Sequence, residues 1–170
     1  MITHQPPHIH SSDSKESSSD YLQRVSSVYP NIPPDILENW AWRHWEAFRS
    51  AYDNLSLGNC DFKLEMWSKY RITKIEAISN SDIAEWGKLF TENSYWRGTW
   101  LAQYIIREKT WPAPIIVLDN FLLEGHRRLG YLNTLIKTDF SVAEYHPVWV
   151  CYRTHRKEFL HWFIYAAYIA

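Results

Sequence analysis

Apolar side chains recur at helical spacing between residues 34 and 55. Leu37, Trp40, Ala41, Trp45, Phe48, Ala51, Tyr52 and Leu55 fall on one stripe with His44 among them, while Glu38, Arg43, Glu46, Arg49 and Asp53 fill the other face. Pro33-Pro34 suits a helix start, where a missing N–H costs nothing, and Gly58-Asn59 suits its end. One aromatic helix is therefore predicted, with the stripe as a packing face and His44 as a hydrogen-bonded core histidine. Trp42 lies off the stripe and is a candidate for a partner contact.

The period then changes. Phe62–Trp67 alternates apolar and polar positions and reads as a strand, as does Tyr70–Ile78 with its Ile75 to Ile78 run. Asp82 with Glu85 three residues on resembles a capping box, opening a helix to about Phe90. Asn93 to Gly98 reads as a loop, and Trp100, Leu101, Tyr104 and Ile105 mark a helix ended by Trp111-Pro112. Ile115–Leu118 and Phe121–Leu123 flank Asp119-Asn120, a two-residue hairpin signal because both turn residues tolerate positive φ. A helix follows with Leu129, Leu132, Leu135 and Ile136 on one face, then a closing strand at Val148–Tyr152. The ends differ in kind: residues 1–19 are a polar His/Ser/Pro tail expected to be disordered, and 154–170 read as an apolar helix packed on the domain.

Composition narrows the class. A chain of 170 residues suits one domain with additions, here a helical extension over 20–60 and a domain over 61–153. Ten Trp and eleven Tyr exceed ordinary core needs and allow a stacking or partner surface. A formal net charge of −1 argues against gripping nucleic acid with the whole surface, so DNA is not the favoured partner. Cys60 and Cys151 make no metal spacing and fit a reducing cytoplasm. No secretory pattern and no apolar run of membrane-spanning length is expected. His4, His8 and His10 read as part of a polar tail rather than a metal site.

The chemistry concentrates after the hairpin, in Glu124-Gly125-His126-Arg127-Arg128. A glycine at a strand-to-helix junction turns backbone N–H groups toward a ligand, and a helix N-terminus flanked by a histidine and arginines attracts anions. The segment points to phosphate, most naturally on a nucleotide.

The run Pro114-Ile115-Ile116-Val117, the hairpin, Leu123-Glu124-Gly125-His126-Arg127-Arg128-Leu129 and the flanking Tyr70–Ile78 and Val148–Tyr152 resemble the ParB/sulfiredoxin-like domain family over about half the chain. The resemblance implies an α+β fold, a small mixed sheet flanked by helices, with an added N-terminal aromatic helix and a C-terminal apolar helix. It implies a nucleoside triphosphate or diphosphate, carried with Mg²⁺, on the turn. Gly125 would allow close backbone approach, His126 and Arg127 would contact phosphate oxygens, and Arg128 would support them or face solvent. Glu124 is the candidate acidic group, able to orient His126 or help place a phosphate-bound metal, or to pair with Arg128. Glu76 is the candidate carboxylate base for phosphotransfer, against its plainer reading as a strand's polar-face residue. Trp96-Arg97 would close over a base, or Trp96 would anchor in the core. Arg153, His155, Arg156 and Lys157 form a basic run that would touch phosphate or remain a solvated loop.

The departures are as informative. Sulfiredoxins carry a cysteine before this histidine, where the chain has Gly125, so sulfinic-acid reduction is not expected. After Tyr152 too few residues remain for the DNA-binding and dimerisation parts of chromosome-partitioning ParB proteins. Three expectations stand: a nucleotide-binding NTPase or phosphotransferase, a non-catalytic regulatory module docking a protein or DNA partner in a plasmid, phage or defence setting, with the aromatic helices as docking surface, and a ParB-like nuclease.

Overall fold

A computed structural model describes residues 17–77 and 80–153, without the side chains of Ser18, Asn80 and Ser81. The expectations for 1–16 and 154–170, including His4, His8, His10 and His155 to Lys157, fall outside the described residues. The fold is α+β, with a mixed four-stranded sheet and helices. The described residues form two compact units, 17–62 with 152–153 and 63–77 with 80–151, the division falling within the first and last strands. Among the described residues no helix is long and apolar enough to cross a membrane.

The first unit is helical. α1 (Ser18–Val28) begins within the stretch expected to be tail, with the Ser17 hydroxyl accepting from Asp20 N as N-cap. α2 (Pro34–Ile36) runs into a wide π turn at Leu37–Ala41, and α3 (Trp45–Asn54) follows. The single long helix expected here is thus broken. Trp42 N donates to Leu37 O five residues back, and His44 adopts φ −138°, ψ 64° before α3 starts. The extra residue rotates the stripe, so Trp40 and Trp45 are both buried while His44 is exposed rather than core. Phe48 sits at the centre, edge-on to Tyr29 at 5.2 Å and to Trp40 at 5.3 Å. Trp42 packs edge-on against Tyr21 at 4.5 Å.

The sheet has the order β1-β4-β2-β3, formed by β1 (Cys60–Ser68), β2 (Ile115–Leu118), β3 (Phe121–Glu124) and β4 (Tyr145–Arg153). The β2–β3 hairpin forms at the expected place, and Asp119 supplies the positive φ of 55° that its turn needs. β4 returns parallel to β2, pairing Ile115 with Val148 and Val117 with Val150. β2 is buried along its whole length, as its unbroken Ile-Ile-Val-Leu run requires.

Tyr70–Ile78 is not a strand in its described part. Ser68 Oγ accepts from Arg71 N at 3.2 Å and caps the helical turn α4 (Lys69–Ile72), and only Glu76 bridges to the sheet, opposite Phe121. The stretch read as a loop at 93–98 contains a helical turn, α6 (Ser94–Arg97), because Asn93 Oδ1 accepts from Tyr95 N at 2.9 Å. α5 (Asn80–Glu92) precedes it and α7 (Trp100–Glu108) follows, closed by Lys109 at φ 64°.

α5 packs on α8 (His126–Lys137) over the core built around Trp67, Ile105, Ile115, Leu129, Tyr131 and Val148. The crossing is close enough to need glycine on both helices. A Cβ at Gly130 would stand 2.8 Å from Ile83 O and from Trp86 Cβ, and one at Gly87 would stand 2.2 Å from Thr134 Oγ1. This contact sets where Trp86 lies along α8.

Candidate anion site at the start of α8

β3 hands over to α8 through Gly125, which adopts φ 113°, ψ 31°. That left-handed conformation suits glycine. The missing side chain also matters for packing, since a Cβ would stand 2.6 Å from Ile115 Cγ2. The close approach that Gly125 permits is thus to β2. Gly125 O accepts from Leu129 N at 2.8 Å, starting the helical ladder. The N–H groups of the first turn have no acceptor within the helix and make the positive end of its dipole.

The two arginines have opposite fates. Arg128 points inward and is 8% exposed. Its Nη1 donates to Ala113 O at 2.8 Å and to Pro114 O at 2.7 Å, and its Nη2 lies 3.8 Å from Glu124 Oε1. It neither faces solvent nor stands at the surface of the turn; it ties the start of α8 to the segment entering β2. Glu124 is mostly buried beside it and is engaged as that charge's partner. Arg127 is exposed, its guanidinium 4.6 Å from the Trp86 ring and 5.4 Å from the Trp96 ring. The two indoles meet edge-on at 5.2 Å, and Tyr95 meets Trp96 edge-on at 5.5 Å. Aromatic faces hold the guanidinium by cation–π attraction and leave its N–H edge for another acceptor. Among the described residues no carboxylate forms an ion pair with Arg127.

The surroundings feel this charge. Burial pushes the Tyr131 phenol up, and Arg127 and the Thr99 hydroxyl draw it back. His126 is half-buried at the first position of α8.

The structure brings Trp96 to Arg127 across 31 positions of sequence, the indole lying against the guanidinium. Arg97 ends α6 in an exposed position, its carbonyl oxygen accepting from Gln103 Nε2 at 2.7 Å. Glu76 is elsewhere. It opposes Phe121, three residues from Glu124 along β3, which is roughly 10 Å of strand rise. Its side chain lines a groove beside the other end of α8. Sequence reading missed Trp86; the available signal was the glycine after it, matched by Gly130 on the partner helix. Among the described residues no cluster of three His, Cys, Asp or Glu side chains is placed to hold a metal ion. The chain matches no protein-family model, no curated protein and no solved structure.

Proposed function

We propose that this protein binds the phosphates of a nucleotide at the start of α8, in the manner its resemblance to ParB/sulfiredoxin-like domains implies. The observation that carries this reading is Arg127, a guanidinium held by Trp86 and Trp96 at the positive end of a helix, with no carboxylate partner among the described residues. The first-turn N–H groups and His126 complete the donor set. Any Mg²⁺ would be held by the phosphates themselves.

The reading favours binding over turnover. Glu124 is turned to Arg128 and Glu76 is a strand's length away, so neither is positioned as a base at the turn. The buried thiols Cys60 and Cys151 fit a reducing cytoplasmic setting for such a protein. Calorimetry with ATP, ADP, CTP and GTP in the presence of Mg²⁺, repeated on Arg127→Ala, tests it. Binding of one nucleotide, lost in the variant, supports the proposal, and absence of binding by the parent protein ends it.

A second reading, a partner-binding module, draws on Tyr95 and Trp100, which are 73% and 69% exposed. A stable copurifying protein, lost on Trp100→Ala, would favour it.

A further inference from the structure

A groove of about 370 Å³ runs beside the second half of α8, lined among others by Thr73, Lys74, Glu76, Asn133, Thr134 and Lys137. Gly130 borders it where α5 crosses α8, and Ile75, Ile83 and Ala84 give it an apolar wall. Asn133, 8% exposed, carries a buried Oδ1 with no hydrogen-bond partner.

The lining has a definite hydrogen-bonding sense. The Thr73 hydroxyl donates to Tyr70 O at 2.7 Å, and the Thr134 hydroxyl donates to Gly130 O at 2.9 Å. With those protons committed, both oxygens can only accept. The Glu76 carboxylate is an acceptor too. Donors come from Lys74 and Lys137, and among the described residues neither lysine nor Glu76 has an ion-pair partner. The complementary molecule has an anionic group for the ammoniums and several O–H donors for the acceptors. Glu76 would repel the anion, so the anion belongs with the lysines and the hydroxyls with Glu76, Thr73 and Thr134. The apolar wall suits the C–H face of a small ring. The volume lies within the range of small-molecule sites.

We infer that this groove binds a sugar phosphate, either free or as the ribose-phosphate part of a nucleotide. The site is separate from the turn at Gly125 and does not depend on the nucleotide proposal. Saturation-transfer NMR and calorimetry with ribose 5-phosphate test it, with AMP as a second arm and ribose and inorganic phosphate as partial ligands. Ribose 5-phosphate should bind at least tenfold more tightly than either partial ligand. Equal binding of AMP assigns the chemistry to a nucleotide, and exclusion of AMP assigns it to a free sugar phosphate. Lys137→Ala and Glu76→Gln, both at exposed positions, should each weaken binding about tenfold, whereas Arg127→Ala should leave it unchanged. No binding of ribose 5-phosphate at 10 mM, undiminished binding to both groove variants, or loss in Arg127→Ala overturns the inference.

Discussion

The Arg128 guanidinium donates to the Pro114 carbonyl oxygen at 2.7 Å, closing a loop of main chain that includes the whole β2–β3 hairpin. Its neighbour Arg127 lies at the surface against the Trp86 and Trp96 rings. Two adjacent residues of one type thus divide structure from candidate function. Arg128→Ala leaves two carbonyl oxygens short of a donor and takes a nearby positive charge from the Glu124 carboxylate, and should cost on the order of 3 kcal/mol. Arg127→Ala should cost no more than about 1 kcal/mol, the scale of an exposed cation–π contact. Urea denaturation of the two variants measures the contrast, and equal costs would refute this division.

Glycine to alanine within a helix ordinarily stabilises, by about 1 kcal/mol. At Gly130 the sign should reverse. The added methyl meets Ile83 O and Trp86 Cβ at 2.8 Å, so α5 must move as a body. A loss of about 1–3 kcal/mol is expected, as for overpacked cores. At Gly87 the obstacle is the Thr134 hydroxyl, a side-chain atom that can rotate, so Gly87→Ala should cost less and be rescued by Thr134→Ala. Thermal unfolding of the three variants gives the order.

The same pair of glycines shows where sequence reading stops. The hairpin was legible because Asp119-Asn120 separates two β-prone runs, and α8 because its leucines keep helical spacing. Those are local signals. Trp86 meeting Arg127 depends on how closely two helices approach, a distance that no local pattern encodes. Tyr70–Ile78 failed for another reason. Its β-prone isoleucines follow a helical turn capped by Ser68, and capping at that end overrode propensity. Arg128 looked like a ligand-binding residue because charge alone does not say which of two adjacent arginines faces inward.

His146 supplies a pH prediction. It lies on β4, fully buried, with Nδ1 2.7 Å from Thr110 Oγ1. Burial pushes its imidazole below the ordinary value of 6.5, outweighing the upward pull of the Ala143 carbonyl and Glu144. The folded protein therefore resists a proton that the unfolded chain accepts. Above pH 6.5 both states are neutral there and stability is unaffected; as pH falls through 6.5 and on toward the depressed folded value, stability is lost. Unfolding followed between pH 8 and pH 5 should show that decline, flattened in His146→Leu. A decline of the same slope in the variant would assign it to other groups.

On the proposed nucleotide-binding reading, Trp96 separates two modes of recognition. If the indole stacks on a base, its loss should weaken a nucleoside triphosphate and leave inorganic tripolyphosphate untouched. If it holds Arg127 in place, both ligands should suffer alike. Its edge-on contacts with Trp86 and Tyr95 and the guanidinium at 5.4 Å favour the second role. Removing one cation–π partner worth about 0.5–1 kcal/mol should weaken both ligands by about two- to fivefold in Trp96→Ala. Trp96→Phe should recover part of that loss, because a smaller ring keeps a weaker quadrupole under the charge. Competition binding of the two ligands to the parent and both variants decides between the roles, and a loss confined to the nucleotide would place the base on Trp96 instead.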